Sequence, residues 1–199
     1  GLVGSEMCIR DSLVAQDPAS PRLTTYTPSG RMELSAQTLH NWQSKAANLL
    51  DSLAPSSVGI ACAPGWQPLM VVLGCWRTDV PIIDADSCDV LFTDDLSLAE
   101  AHSGEVFLLS DDPFGRGVEE SGGELPFGVN DFSPELRVQP DAYPGPVAAP
   151  APAGPRVLVP SWTDTQSMLD TLKPLRDGGS VVMATEPTAE IAAAENAII

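Results

Sequence analysis

The sequence has 199 residues, 43% of them hydrophobic, and its acids outnumber its bases by 27 to 10, giving a formal charge of −17. A chain of this length buries roughly two-thirds of its unfolded surface, so a core can form without disulfides or metals. The negative charge argues against nucleic acid or anionic lipid as a partner, and no apolar run approaches the ~20 residues of a membrane span.

The first twelve residues, GLVGSEMCIRDS, read unlike the rest of the chain. With one choice of codons, Leu2–Ser12 spell a string that resembles the transposon-end adapter of fragment sequencing libraries. We expect residues 1–12 to be this artefact, so that the true N-terminus is missing or begins near Leu13, in a chain of environmental or draft-genome origin. The stretch also lacks the basic and apolar parts of a secretory signal, and we expect a cytoplasmic protein.

A hairpin and a long helix come next. LTTYTPSGRMEL holds two extended runs around a turn at Pro28–Gly30. Ser35 is a candidate N-cap for the helix that follows, and its apolar residues fall at helical spacing. This spacing predicts a helix over 35–53 with one buried face, formed by Leu39, Trp42, Ala46, Leu49 and Leu53.

Apolar strands then alternate with helices along the chain. The predicted strands are VGIACA, VPII, CDVLFT, EVFLLS, RVLVP and GGSVVMA; the predicted helices are GWQPLMVVLGCWRT, LSLAEAH, TDTQSMLDTLKPLR and PTAEIAAAENAII. This alternation predicts a three-layer α/β fold, with a mostly parallel sheet, helices on both faces and an N-terminal β-hairpin. We expect a single domain over 13–199, interrupted by a Gly- and Pro-rich irregular connection at 110–155.

Cysteine and histidine supply little chemistry. Cys62, Cys75 and Cys88 lie in apolar segments without C-x-x-C spacing, which favours buried reduced thiols over a disulfide or a metal site. The chain has only two histidines, so a zinc site or a catalytic triad is poorly supplied. We expect no metal and no cofactor.

Polar residues after the predicted strands are the remaining candidates. Asp94, Asp95, Asp111 and Asp112 follow two strands and are weak candidates for binding a divalent cation, although capping and turn formation is the favoured interpretation. No glycine loop has the spacing of a phosphate-binding motif. In PSWTDTQ, helix capping is the favoured role of the polar residues, and ligand binding is the second. The weak ligand-binding candidates are Trp66, Thr93, Ser161, Trp162, Thr163 and Asp164.

The order of these segments resembles the N-terminal half of the adenylate-forming superfamily (AMP-binding, acyl-CoA synthetase-like). TTYTPSGRMELSAQTLHNWQSKAANLL is similar to the hairpin and helix at the start of those enzymes, and the helix ends in a similar Ala46–Leu49 run. VGIACAPGWQPLMVVLGCWRTDVPII, CDVLFTDD and PRVLVPSWTDTQSMLDTLKPLRDGGSVVMA are similar to later segments. The resemblance implies an α/β scaffold over most of 20–199.

The resemblance does not extend to the residues that handle ATP. The family's Ser/Thr/Gly-rich loop ending in Pro-Lys-Gly should precede PRVLVP, where this chain reads YPGPVAAPAPAGP, without lysine, serine or threonine. The chain is thus most similar to a short uncharacterised family of high-GC bacteria that lacks this loop. No catalytic residue is carried over.

Three functions remain open. The leading hypothesis is a non-catalytic adenylate-forming-like domain that binds a small acyl-like ligand or a protein partner. The alternatives are a fragment or half of an acyl-adenylate or acyl-CoA ligase, and a structural interaction protein that uses its acidic surface. The sequence leans against an enzyme.

Overall fold

A computed structural model of the chain describes residues 17–144 and 154–199. The predicted adapter at 1–12 lies outside the described residues, as does most of the proline-rich stretch that takes the place of the phosphate loop. The described residues divide into two compact units, which we call the terminal unit (17–41, 144 and 154–199) and the central unit (42–143).

The terminal unit is built on a four-stranded mixed sheet. Its strands are β1 (Pro21–Thr27), β2 (Gly30–Ser35), β8 (Arg156–Pro160) and β9 (Ser180–Ala184), in the order β2-β1-β9-β8. Strands β1 and β2 form the predicted antiparallel hairpin, whereas β1–β9 and β8–β9 pair in parallel.

The terminal unit also contains three short helices, α5 (Thr165–Thr171), α6 (Lys173–Arg176) and α7 (Ala189–Ala194). The sequence predicts a single helix where α5 and α6 lie. Pro174 has no backbone N–H to donate to the preceding turn, and its ring would clash with that turn in a continuous helix. The chain therefore begins a new helix, α6, here instead of extending α5. Every residue of β9 is buried, as expected for a central strand covered on both faces.

Helix α1 (Ala36–Leu53) begins in the terminal unit and continues into the central one. The predicted N-cap is present, because the Ser35 hydroxyl accepts a hydrogen bond from the Thr38 N–H. Leu39, Ala46 and Leu49 are buried as predicted, whereas Trp42 and Leu53 are only half-buried.

The elements of the central unit are β3 (Val58–Ala61), α2 (Trp66–Thr78), β4 (Ile82–Ile83), β5 (Val90–Thr93), α3 (Leu96–Ala101), β6 (Glu105–Leu108), β7 (Asn130–Asp131) and α4 (Phe132–Arg137). Its five strands are parallel and lie in the order β4-β3-β5-β6-β7. The α/β class and the parallel strands flanked by helices are confirmed, although the strands divide between two sheets.

The two faces of the central sheet have separate cores. Leu91 and Val106 point to one face and form a cluster with Ala99 of α3. Phe92 and Phe107 point to the other face and stack with ring centroids 5.1 Å apart, and the ring of Phe132 in α4 meets Phe92 edge-on at 5.7 Å. Helices therefore cover both faces of this sheet.

The segment expected to be irregular, 110–155, includes some regular structure. It holds a 3-10 turn at Glu119–Ser121, strand β7 and helix α4, whose Phe132 and Leu136 are each 1% exposed. The elements are short, but their apolar residues lie four positions apart and fill the core. Within 17–144 and 154–199, no helix is both long enough and apolar enough to cross a bilayer.

Candidate functional site

In the central unit, the candidate residues lie at the carboxyl ends of neighbouring parallel strands. Thr93 ends β5 and is fully buried; its hydroxyl donates to the Ala61 carbonyl at 2.8 Å and accepts from the Asp95 N–H at 3.1 Å. Asp94 accepts from the Ala63 N–H at 2.9 Å. These bonds tie the end of β5 to the loop that follows β3.

The aspartates here act mainly on the backbone. Asp95 is the N-cap of α3 and accepts from the Ser97 and Leu98 N–H groups. Asp112 accepts from the Phe114 and Arg116 N–H groups and from the Arg116 guanidinium, and these bonds, the guanidinium first, lower its pKa. Asp95 therefore caps a helix and Asp112 holds a turn, whereas Asp111 is exposed.

Trp66 opens helix α2 and is 5% exposed. Its indole N–H donates to the Pro113 carbonyl at 3.2 Å, and its ring centroid lies 5.4 Å from that of Trp42. Gly115 packs on the same indole with φ +74°, and a Cβ there would come within 2.8 Å of the ring. Trp66 therefore supports the loop after β6 and offers little surface to a ligand.

Three buried polar residues of this region were missed in the sequence. Gln67 donates to the carbonyls of Ser110 and Asp112 and accepts from the Ser133 hydroxyl at 3.0 Å. Asp131 accepts from the Val118 N–H at 3.0 Å. The partners of Gln67 lie 43–66 positions away, so no local pattern could show them. An Asp before a helix with Pro134 in its first turn could have drawn attention to Asp131.

In the terminal unit, the candidates form the loop between β8 and α5. Asp164 is the N-cap of α5 and shares a capping box with Ser167, whose hydrogen bonds lower the pKa of Asp164. The Thr163 N–H donates to the Ser167 hydroxyl, and the Ser161 N–H donates to the Ala184 carbonyl. Trp162 is 8% exposed, whereas the side chains of Thr163 and Asp164 face solvent.

Among the described residues, no three His, Cys, Asp or Glu side chains gather in a way that could hold a metal ion. Cys62, Cys75 and Cys88 are reduced thiols outside any disulfide, and burial raises the pKa of all three, that of Cys75 to about 12. They are therefore protonated and poor nucleophiles at neutral pH.

The described cations have protein partners. Lys45 donates to the Arg137 and Gln139 carbonyls and lies 3.1 Å from Asp141. Lys173, the only other lysine, pairs with Asp170 at 2.9 Å. The arginines have similar contacts, with the pairs Arg116–Asp112, Arg137–Glu120 and Arg156–Glu195 all within 2.7 Å.

Comparison with known proteins identifies the scaffold. A TIGR03089 family protein of Mycobacterium tuberculosis, an uncharacterised protein, is 39% identical over 161 residues, which cover 71% of this chain and 65% of that protein. An acyl-CoA synthetase of Brucella canis has a TM-score of 0.70 at 12% identity, with 96% of this chain and 46% of that chain covered. No family model matches the chain.

Two further solved structures are similar in fold to the chain. The acetoacetyl-CoA synthetase of Streptomyces lividans has a TM-score of 0.69 at 14% identity, covering 97% of this chain and 41% of its own. The N-terminal domain of FACL13 from Mycobacterium tuberculosis has a TM-score of 0.65 at 10% identity, and the match covers 95% of this chain and 60% of that chain. The chain thus spans about half the length of adenylate-forming acyl-CoA synthetases and has the fold of their N-terminal part.

Proposed function

We propose that the chain is a non-catalytic, adenylate-forming-like module that binds an acyl-like ligand or a protein partner and does not activate carboxylic acids with ATP. Adenylation needs cations and hydrogen-bond donors around the phosphates to offset the charge that develops during transfer. The observation that carries the proposal is the engagement of both lysines, Lys45 and Lys173, by acceptors of the protein.

The chain's charge supports the same proposal. A formal charge of −17 repels a polyanion such as ATP over a distance set by the ionic strength. An uncharged or acyl-like ligand is not subject to that repulsion.

We place the proposed ligand contact on the loop at 161–164. Of the ligand candidates, Thr163 and Asp164 have exposed side chains, whereas Trp66 and Thr93 are buried and hydrogen-bonded. The cation candidates Asp94, Asp95, Asp111 and Asp112 serve in this proposal as structural residues, without a metal.

An ATP–pyrophosphate exchange assay over a panel of carboxylic acids, with calorimetry of magnesium ATP, tests the catalytic part. We expect no exchange and no heat of binding at millimolar ATP. Exchange by the chain itself would overturn the proposal.

Titration with octanamide, followed by amide chemical shifts, tests the ligand part. We expect saturable shifts at 161–164 that Thr163→Val weakens. The matched change Thr38→Val, an exposed threonine at the start of α1, should leave them unchanged. Shifts spread evenly over the chain would contradict this placement.

The second candidate is half of an acyl-adenylate or acyl-CoA ligase. It is supported by TM-scores of 0.70 and 0.69 to two acyl-CoA synthetases of which this chain covers less than half. Under this alternative, exchange activity would emerge only when a complementary polypeptide supplies the phosphate-binding groups.

A further inference from the structure

The segment between β6 and α4, residues 110–131, exposes aromatic rings. Of the five phenylalanines in the chain, Phe92, Phe107 and Phe132 are at most 2% exposed. The other two, Phe114 and Phe127, both lie in the 110–131 segment and are 78% and 106% exposed. Single exposed apolar residues are common, but two largely exposed phenyl rings in one short segment of an acidic chain call for an explanation.

The backbone beneath Phe114 is held in place by hydrogen bonds from several directions. Its own N–H donates to the Asp112 carboxylate at 2.9 Å, and the Trp66 indole holds the preceding carbonyl. Gln67, 4% exposed, holds the carbonyls of Ser110 and Asp112. A ring on such a loop loses little backbone freedom when it is covered.

Phe127 is anchored on both sides. Leu125 and Val129 pack against the cluster of Leu91 and Val106, and the Val129 N–H donates to the Pro126 carbonyl at 3.2 Å to close a turn. Gly128 takes φ +81° in that turn. The apolar neighbours therefore face the core while Phe127 faces solvent.

The charge around these rings defines the surface that could cover them. The segment holds six acids and one base, Arg116, which pairs with Asp112. Asp111, Glu119 and Glu124 are exposed. A second copy of this chain, or an anionic membrane, would bring like charge against them, whereas a basic protein surface would complement them.

We propose that the 110–131 segment docks a protein partner that offers an apolar site to each exposed ring, Phe114 and Phe127, with basic side chains beside these sites. In protein–protein contacts, a few large side chains that become buried in pockets of the partner supply most of the affinity. Complementary charge around them sets orientation and association rate. This inference specifies the chemistry of the protein partner in the binding role proposed above, and it rests on that proposed role. It does not depend on the absence of adenylation.

Binding of a fluorescent amphipathic peptide of alternating Leu and Lys clusters tests the inference, with anisotropy measured on the full chain. We expect saturable binding that Phe114→Ser with Phe127→Ser weakens about tenfold or more. The matched control is Leu96→Ser with Val138→Ser, which removes two apolar side chains that are 51% and 77% exposed elsewhere in the central unit. It should leave affinity unchanged.

Because both rings are exposed, the double variant should keep the thermal midpoint and circular dichroism of the wild type, and each single variant provides a further check. Absence of saturable binding, or equal weakening by the control pair, would overturn the proposal. So would Phe-dependent self-association in sedimentation or Phe-dependent binding to phosphatidylcholine vesicles. The exchange assay is independent of this readout, so failure of either proposal is recognised separately.

Discussion

At the scale of single residues, Glu195 lies at the centre of a cluster of polar contacts among the described residues of the terminal unit. Its carboxylate accepts from the Tyr26 hydroxyl, from Arg31 at 2.8 Å and from Arg156 at 2.7 Å, while its side chain is 8% exposed. The hydrogen bonds, that from Arg31 first, lower the pKa of Glu195 to about 2. The residue thereby fastens the C-terminal helix to the hairpin and to β8.

This lowered pKa predicts a specific dependence of stability on pH. Since the carboxyl titrates near 4.5 when unfolded, its contribution is complete above that pH and is lost as the pH falls toward 2. Glu195→Gln should lower the free energy of unfolding by about 3 kcal/mol at pH 7, and by progressively less from pH 4.5 to 2. Urea titrations at several pH values measure this. The exposed Glu186→Gln is the control, and a loss independent of pH would count against the assignment.

The two tryptophans of the aromatic pair should differ in energetic weight. Trp66 is 5% exposed and hydrogen-bonded, whereas Trp42 is half-buried. We expect Trp66→Ala to cost about 3–5 kcal/mol. Trp42→Ala should cost about 1–2 kcal/mol. Denaturant unfolding compares them, and an equal or reversed order would show that the burial of the pair is misassigned.

The site illustrates what a single sequence can and cannot supply. The roles of Asp95 and Asp164 follow from their positions before helices, because capping depends on neighbours two or three residues away. The roles of Gln67 and Trp66 do not, because their partners are carbonyls in a loop more than 40 positions further along. Trp66, a ligand candidate in the sequence, is 5% exposed and hydrogen-bonded within the protein, so its observed contacts are packing contacts.

At the scale of elements, α1 and α2 approach each other closely within the central unit. A Cβ on Gly74 would lie 2.7 Å from the Cβ of Ala46 and 3.2 Å from the Ala47 nitrogen. Ala46 and Ala47 are at most 2% exposed. Small residues on both helices therefore set their separation, and the sequence patterns of the separate helices do not reveal this.

Replacing Gly74 by alanine should accordingly destabilise the protein. Alanine favours a helix over glycine by about 1 kcal/mol. Overpacking against the backbone of α1 should outweigh that gain by costing about 1–3 kcal/mol. The control is Gly65→Ala, since a Cβ there would meet only the Pro68 ring, at 3.9 Å. Thermal unfolding of both variants decides it, and a stabilised Gly74→Ala would refute the close approach.

Element prediction succeeded where apolar segments stand between clear turn signals and failed inside the Gly- and Pro-rich segment at 110–155. The hairpin, the long helix and β3, β5, β6, β8 and β9 follow from local pattern, and so do the short elements β4, α3 and α7. Strand β7 and helix α4 are as short as these, but they lie in the segment whose composition predicts irregular structure. The division of the strands into two sheets depends on pairing between distant segments, such as β1 with β9, which no local pattern records.

At the scale of the whole molecule, the sequence makes a prediction about its first residues. If residues 1–12 are adapter-derived, the fold does not require them. Their deletion should leave the thermal midpoint unchanged, as measured by differential scanning fluorimetry. Deletion of 17–23, which removes the start of β1, is the contrasting control and should lower it. A drop of several degrees on deletion of 1–12 would contradict the adapter interpretation.

The net charge leads to a final prediction about salt. With a formal charge of −17 and ion pairs already formed by both lysines and several arginines, long-range repulsion among acids opposes the compact state. Salt screens this repulsion, since the Debye length falls from about 30 Å at 0.01 M to about 3 Å at 1 M. It also weakens ion pairs such as Arg31–Glu195, but close and partly buried pairs are screened less than distant exposed charges.

We therefore expect the thermal midpoint at pH 7 to rise when sodium chloride increases from about 0.01 M to about 0.5 M. The same series near pH 4.1, where the net charge vanishes, is the internal control and should show little or no rise. A midpoint that falls with salt at pH 7 would mean that the ion pairs, rather than the excess of acids, dominate the electrostatics of the fold.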